Sequence, residues 1–184
     1  EDYNPKSYRD KSTLKRFVKE YLKRTQPLRN THEMQTYSES ECFDAVIVGS
    51  DQVWREDYVL SIEEMFLSFL SSDCNTKRIA YAASFGTDEN YISLEKTPVC
   101  KDLIKLFKAV SVREKSAVNI CREQFGVNAN HVLDPTMLLK VEDYKKLFTK
   151  AAVTMSGGDM LVYILDKSEN IKHIIDTIAN KHNL

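Results

Sequence analysis

One short stretch constrains the fold of this chain more than any other. It is an uninterrupted apolar run at residues 45–48, followed at once by the small and polar residues Gly49-Ser-Asp-Gln52. Such a run is typical of a strand that is buried on both faces of a parallel sheet. In open parallel sheets, ligands bind just beyond the carboxyl ends of the strands. We therefore expect residues 49–52 to lie at a ligand-binding edge of the sheet.

The same pattern occurs three more times along the chain. Further apolar strand candidates are residues 78–83, 108–112 and 130–133. Each ends at polar, charged or flexible residues, namely Ser84-Phe-Gly86, Arg113-Glu114 and Asp134-Pro135. A helical pattern follows each of these three strand candidates, at residues 98–107, 114–125 and 141–150. This alternation predicts an α/β fold with a parallel sheet and helices on both faces, whose strand ends meet at one edge.

The two flanks of this region differ from it. Residues 12–24 have a helical pattern, and residues 25–41 are polar and irregular. After a flexible break at Ser156-Gly-Gly-Asp159, the sequence predicts a strand over residues 160–165 and a helix over residues 171–181. A single βα unit cannot form a core alone. We therefore predict a first domain over residues 1–150, and over residues 151–184 a linker and the first βα unit of a second α/β domain.

Composition narrows the classes of function. The chain has 184 residues, of which 42% are hydrophobic and 29% are charged, and this profile is typical of a soluble globular protein with a real core. The formal charge of −1 shows no excess of positive charge of the kind that marks nucleic-acid-binding proteins. No apolar run is long enough to span a membrane. The cysteines are too far apart for local metal-binding pairs, and the histidines form no zinc motif. We expect a reducing, cytoplasmic environment and no metal.

Arg113 is the most informative of the strand-end residues. It lies where a predicted strand meets a predicted helix, and the free amide groups at a helix N-terminus favour an anion. A guanidinium beside those amides would bind phosphate or carboxylate. Gly49 and Gly86 would let a ligand approach the backbone closely. The acid–base candidates on this edge are Asp51, Glu114 and Asp134.

Each of these residues also has a structural explanation. Arg113 could pair with Glu114 or Asp134, and Asp51 could cap the turn or helix that follows it. Ser84 could satisfy backbone groups in a turn, and Asp134-Pro135 could be a structural turn. A packing or structural role is the simpler interpretation of Trp54, Tyr81 and His131. Four polar strand ends on one edge favour a ligand crevice, but they specify no reaction.

Four segments in a fixed order carry a resemblance to a known family. They are Phe43–Trp54, Lys77–Gly86, Ala109–Ser116 and His131–Thr136. In order and spacing they resemble the polysaccharide pyruvyl transferase family, most clearly over residues 40–150. The resemblance implies a Rossmann-like N-terminal domain in a two-domain fold similar to that of GT-B glycosyltransferases. It also implies that the family's first strand precedes Glu1, and that most of a C-terminal domain, with further basic and histidine residues, follows Leu184.

The resemblance carries an expected activity as well. The family's characterised enzymes transfer the enolpyruvyl-derived group of phosphoenolpyruvate to sugar hydroxyls and form a pyruvate ketal. This implies a bacterial enzyme of capsule, exopolysaccharide or cell-wall polymer synthesis, working in the cytoplasm or peripherally at the inner face of the membrane. The donor would be phosphoenolpyruvate, the acceptor a saccharide that can be lipid-linked, and no nucleic acid or separate cofactor would take part. The isolated 184-residue chain, as about half of such an enzyme, is expected to be inactive.

On this interpretation the candidate residues divide into two groups. The catalytic candidates are Asp51, Arg113 and Glu114. The substrate-binding candidates are Gly49, Ser50, Gln52, Ser84, Gly86, Arg113 and Asp134. Two alternatives stay open, a GT-B-type glycosyltransferase that uses a nucleotide sugar and a catalytically inactive binding module.

Overall fold

The structure, a computed structural model, describes residues 11–148, 160–164 and 170–182. The chain divides into two units, Glu1–Leu138 and Leu139–Leu184. The first unit contains the sheet and the candidate site. The domain boundary that the sequence predicts at residue 150, in the break before residue 160, lies outside the described residues and stays a prediction.

The described part of the first unit opens with two helices where the sequence predicted one. Helix α1 (Lys11–Tyr21) corresponds to the predicted helix at residues 12–24, but α2 (Thr31–Glu41) occupies a segment predicted to be irregular. That prediction was wrong because α2 depends on its cap and has no apolar stripe. The Asn30 side chain accepts a hydrogen bond from the Glu33 amide at 2.8 Å, and the Glu33 carboxylate accepts one from the Arg29 amide at 2.8 Å.

The core of the first unit is a parallel sheet. Its strands are β1 (Ala45–Val48), β2 (Lys77–Ala83), β3 (Phe107–Val112) and β4 (Asn130–His131), hydrogen-bonded in that order. Every neighbouring pair is parallel, which confirms the predicted α/β fold. The four strands form where they were predicted, although β4 ends at His131 and not at residue 133. The carboxyl ends of the strands therefore lie side by side in chain order along one edge.

The connections between these strands lie on one face of the sheet, because parallel crossovers are right-handed and the strand order never reverses. They carry α3 (Ile62–Met65), α4 (Thr97–Ile104) and α5 (Lys115–Ile120), and α5 continues as a π-helical turn, Cys121–Phe125. Helices were expected on both faces of the sheet. The helices that lie in the connections between β1 and β4 cover one of the two faces. The other face is more open, since Ile47 on β1 is 63% exposed.

The covered face packs on a single apolar core. Buried strand residues such as Val48, Ala80 and Val112 belong to the same cluster as Ile104 of α4 and Ile120 of α5. Burying a valine or isoleucine side chain of this kind stabilises the fold by about 1.5–3 kcal/mol. Burial also raises the pKa of the Cys100 and Cys121 thiols to about 12, so both are inert core residues.

Trp54 belongs to this core and is not a platform for a ligand. Its ring is fully buried and stacks on Phe66, with ring centres 5.0 Å apart, and it packs against Phe85 at 5.3 Å. The indole Nε1 donates a hydrogen bond to the carbonyl oxygen of Met65 at 3.2 Å, so its one polar group is satisfied. The packing interpretation of Trp54 is confirmed.

The second unit contains α6 (Val141–Phe148) and α7 (Ile171–His182), close to the helices predicted at 141–150 and 171–181. Residues 160–164, predicted as most of a strand, have no regular secondary structure. A strand needs a neighbour for its backbone hydrogen bonds, and the described residues of this unit offer none. In the part of the chain that the structure describes, no helix combines the length and the apolar character needed to cross a membrane.

Candidate active site

The residues that follow the strands stay paired beyond the ends of the sheet. The Ser84 amide donates to the carbonyl oxygen of Asp51 at 3.1 Å, and the Trp54 amide donates to that of Ser84 at 3.1 Å. The Arg113 amide donates in the same way to the carbonyl oxygen of Ala83 at 3.1 Å. These bonds extend the parallel ladder into the loops, and they bring three predicted strand ends to one edge.

Arg113 is the centre of the side-chain cluster at this edge. Its Nε donates to Glu114 Oε1 at 2.9 Å, and its Nη1 donates to Asp134 Oδ2 at 3.2 Å. Asp51 Oδ1 lies 4.0 Å from the same Nη1. The hydrogen bond to Glu114 is the main reason why the pKa of Arg113 is raised above its ordinary value. Among the described residues Nη2 has no hydrogen-bond partner, so one arm of the guanidinium is available to a ligand.

Glu114 is held by two donors on a single oxygen. Besides Arg113, the hydroxyl of Ser84 donates to Glu114 Oε1, at 2.9 Å, and Ser84 is fully buried. The Ser84 hydroxyl in turn accepts a hydrogen bond from the Gly86 amide at 2.9 Å. The second carboxylate oxygen, Oε2, is buried and makes no hydrogen bond within the described residues. A buried carboxylate oxygen without a partner is uncommon, and it would accept a hydrogen bond or a proton from a group that reaches it.

Asp134 is a charged residue that supports the cluster. Its Oδ1 accepts hydrogen bonds from the amide and the hydroxyl of Thr136, at 3.0 and 2.8 Å. The Thr136 amide is the largest of several causes that lower the pKa of Asp134 to about 2, and hydrogen bonds from Arg113 and Ser50 add to it. Asp134 therefore has both roles considered from the sequence, because it closes a turn with Thr136 and also pairs with Arg113.

Asp51 and Gly49 shape the loop after β1. Asp51 has a left-handed backbone (φ 56°), and its side chain is 86% exposed beside Arg113. Gly49 has a φ of +123°, and a Cβ built on it would overlap the carbonyl oxygen of Tyr81. Only glycine fits there, since the loop passes directly over the β2 backbone. The close approach at Gly49 is therefore made by the protein itself.

Gln52 and Gly86 meet on the outer side of the cluster. A Cβ on Gly86, whose φ is +77°, would collide with the Gln52 side chain. Gln52 Oε1 accepts a hydrogen bond from Arg55 Nη1 at 3.3 Å. The structure thus places Gln52 against Gly86 and Arg55, and within the described residues it makes no hydrogen bond to Arg113, so it lies beside the cluster rather than in it.

One positioning residue was missed by the sequence analysis. The Ser111 hydroxyl accepts a hydrogen bond from the Ala82 amide at 3.2 Å and donates one to the Ala80 carbonyl at 3.0 Å. It bridges an irregularity in β2 between Ala80 and Ala83, where Ala82 has a φ of 51°. This irregularity sets the direction in which Ser84 leaves the strand. No pattern in the sequence indicates it, because Ser111 alternates normally along β3.

His131 Nε2 lies 3.1 Å from the Arg113 carbonyl oxygen, a structural contact that ties β4 to β3.

A cavity of about 460 Å³ lies at the opposite, amino-terminal edge, near Cys42, Asp44 and Lys77. Ligands of parallel sheets bind at the carboxyl edge, so we place the site at Arg113 and not there. Within the described residues, no three histidine, cysteine or acidic side chains form a metal-binding group.

The family of the chain follows from a sequence comparison. The family model described as polysaccharide pyruvyl transferase matches residues 1–181, nearly the whole chain. The chain belongs to the polysaccharide pyruvyl transferase family. The match extends well beyond residues 40–150, where the four segments quoted above lie. No curated protein and no solved structure matches this chain.

The charge balance of the cluster limits what a pyruvyl transferase can do with it. One guanidinium faces three carboxylates, at 2.9, 3.2 and 4.0 Å, so the formal charge of the cluster is negative. A ligand with two or three negative charges cannot be bound by this cluster alone, because the carboxylates repel it. The hydroxyls of a neutral sugar, in contrast, donate readily to carboxylate oxygens. The geometry therefore suits a neutral ligand with hydroxyl groups. The sequence analysis had expected mainly an anion at Arg113.

Proposed function

We propose that this protein transfers the pyruvyl group of phosphoenolpyruvate to two hydroxyls of a saccharide. The vinyl CH₂ group of the donor gains one proton and becomes a methyl group. Two sugar oxygens bond to the adjacent carbon, phosphate leaves from that carbon, and the second hydroxyl proton leaves with it. The products are a pyruvate ketal and inorganic phosphate. Membership of the pyruvyl transferase family supports the transfer, while the donor and the ketal are part of this proposal.

The arrangement of Glu114 is the observation that carries the proposal. Arg113 and Ser84 fix one of its oxygens, and the other has no partner among the described residues. A reaction in which two hydroxyls must lose protons needs a base in a fixed position. We assign that role to Glu114. Asp134 is a poor base because its pKa lies near 2, so its role is to hold Arg113 in place.

Arg113 would contact the donor through its free Nη2. That nitrogen can donate to a carboxylate or phosphate oxygen while Nε and Nη1 keep their protein partners. Since the cluster is negative overall, further cations must neutralise the phosphate. Asp51, which is largely exposed beside Arg113, would bind an acceptor hydroxyl or exchange a proton with it. Gly49, Ser50, Gln52 and Gly86 would shape the walls around the substrates.

Several finer points belong to the same proposal. The donor is an activated enol ester, so proton transfer and positioning can drive the reaction without a metal or an organic cofactor. The acceptor would be a bacterial polysaccharide or its lipid-linked precursor, and the protein would work in the cytoplasm or at the inner face of the membrane. The family match favours this reaction over glycosyl transfer from a nucleotide sugar. That the isolated 184-residue chain is inactive stays a prediction.

A donor-substitution assay tests the proposal. The full-length protein is incubated with a panel of saccharide acceptors and either phosphoenolpyruvate or nucleotide sugars, and the release of phosphate or nucleotide is followed. We expect acceptor-dependent phosphate release from phosphoenolpyruvate alone. Acceptor-dependent nucleotide release would instead establish the glycosyltransferase alternative, and absence of turnover with every donor would favour the inactive binding module.

A further inference from the structure

A groove lies next to the Arg113 cluster, and it extends from Asp51 and Gln52 to Tyr58 and Val59, which have no role in the reaction proposed above. Its volume is about 440 Å³, and it is lined by Asp51, Gln52, Val53, Tyr58 and Val59. This volume falls in the range of small-molecule sites. Asp51 lines the groove and also faces Arg113, so the groove and the cluster share a wall.

Tyr58 provides the aromatic surface of the groove. It is 62% exposed, yet the guanidinium carbon of Arg55 lies 4.2 Å from the centre of its ring. The same guanidinium lies 5.8 Å from the ring of Tyr91 and donates to Gln52 Oε1 at 3.3 Å. This cation–π contact restrains Tyr58, because moving the ring away from Arg55 would lose the attraction between the guanidinium and the ring face. The ring is exposed but held in position.

The backbone that carries Tyr58 is anchored as well. It forms a short 3₁₀ turn, Glu56–Tyr58, and the Glu56 carboxylate accepts a hydrogen bond from the Ser93 amide at 2.7 Å. Lys96 Nζ pairs with the same carboxylate at 2.9 Å. The Ser93 amide is the main cause, and Lys96 the next, of a lowered pKa for Glu56. The turn is therefore tied to the segment that leads into α4.

These groups together match the chemistry of a saccharide. The C–H face of a sugar ring is apolar and packs on a flat aromatic ring, while its hydroxyls bond to carboxylates and amides. The groove offers the Tyr58 ring, the Gln52 amide and the Asp51 carboxylate, with two valines between them. Its acidic wall disfavours an anion such as the phosphate of the donor.

We propose that this groove binds the acceptor saccharide, with Tyr58 as the stacking platform and with Gln52 and Asp51 as hydroxyl-binding groups. The inference rests on the proposed function, because it places the acceptor hydroxyls next to the cluster that contains Glu114. It makes Tyr58 and Gln52 determinants of acceptor specificity, a role that the sequence analysis did not give to Tyr58.

The test measures saccharide binding in the absence of any donor. The full-length protein is titrated with soluble disaccharides that end in galactose, glucose, mannose or N-acetylmannosamine, and binding is followed by saturation-transfer NMR. We expect Tyr58→Ala to weaken binding about tenfold, and Tyr58→Phe, which keeps the ring, to stay within about twofold of wild type. Tyr21→Ala, at an exposed tyrosine of α1, is the matched control and should bind as wild type does.

A second variant and a second measurement make the outcomes distinct. Val59→Trp keeps Tyr58 but fills the groove, so it should block saccharide binding. Urea unfolding checks that each variant is folded. Equal binding by wild type, Tyr58→Ala and Val59→Trp would overturn the assignment, as would absence of binding by wild type at millimolar saccharide. Phosphate release from phosphoenolpyruvate is measured separately. Its absence, with Tyr58-dependent binding intact, would count against the proposed reaction and leave the groove assignment standing.

Discussion

Arg113 binds the carboxylate of its own neighbour in the chain, Glu114, with Nε 2.9 Å from Oε1. Neighbouring residues in a strand point to opposite faces, so this contact forms only because β3 ends at Val112 and the backbone turns into α5. The turn leaves Glu114 with one fixed oxygen and one unpaired oxygen, and leaves Arg113 with one free nitrogen. The roles that we assign to Arg113 and Glu114 depend on these unpaired atoms.

Replacing Arg113 should weaken donor binding without unfolding the protein. Loss of a charge-assisted contact costs about 1.5–3 kcal/mol, so Arg113→Ala should raise the Kd for phosphoenolpyruvate on the order of tenfold to a hundredfold. Titration calorimetry measures the Kd, and Arg122→Ala, at an exposed arginine of the π-helical turn, is the control. A folded Arg113→Ala protein with the affinity of wild type would show that Arg113 only holds its neighbouring carboxylates.

Replacing Glu114 should act on turnover rather than on donor affinity. Glu114→Gln keeps the size of the side chain but removes the base, and we expect kcat to fall by about 10²–10⁴-fold. The exposed Glu123→Gln variant, matched in chemistry, should keep the kcat of wild type. Steady-state phosphate release gives kcat for both. If kcat were unchanged in Glu114→Gln, the base would have to be another residue.

The stability of the protein should depend on Asp134 in acid. Its pKa is lowered from 3.8 to about 2 on folding, so its contribution to stability is fully present above the unfolded value and is lost as pH falls through the folded value. Thermal unfolding should show Asp134→Asn to be less stable than wild type at neutral pH. The gap in Tm should narrow as the pH is lowered from about 4 towards 2. A gap that did not change with pH would mean that the charge of Asp134 contributes nothing.

Two glycines with positive φ should respond differently to alanine. Gly49→Ala meets both an unfavourable φ and the Tyr81 carbonyl oxygen, whereas Gly126→Ala meets the φ penalty alone, because nothing lies within 4 Å of its added Cβ. Urea unfolding should show a loss of about 1 kcal/mol for Gly126→Ala and a larger loss for Gly49→Ala. Similar losses for the two variants would contradict the close approach of the β1 loop to β2.

The features that the sequence predicted are those set by local pattern. Strands β1 to β3 follow from apolar runs, whereas β4 consists of the polar residues Asn130 and His131 at the start of its predicted segment. Since the strands are parallel, predicting them also predicted that Ser84, Arg113 and Asp134 would lie along one edge.

The features that were missed depend on contacts between distant segments or on capping. The cap of α2 at Asn30 leaves only a weak sequence signal, and no pattern indicates that Ser111 bridges β2. Arg78 sits in a strand, yet it is 4% exposed and donates to the carbonyl oxygens of Leu70 and Ser71 at 2.8 Å. The sequence analysis named Glu114 and Asp134 as alternative partners of Arg113, but it could not predict that both pair with it at once, because that depends on distances that only the folded chain fixes.

Analysis of the product tests the central claim most directly. The full-length protein is incubated in D₂O with phosphoenolpyruvate and an acceptor saccharide, and the product is examined by proton NMR and mass spectrometry. We predict a pyruvate ketal whose methyl group contains one deuterium, formed together with one equivalent of phosphate, because the vinyl carbon must gain a proton that has exchanged with solvent. A product that retains an intact enolpyruvyl ether, or a glycosidic product formed only with a nucleotide sugar, would contradict the account.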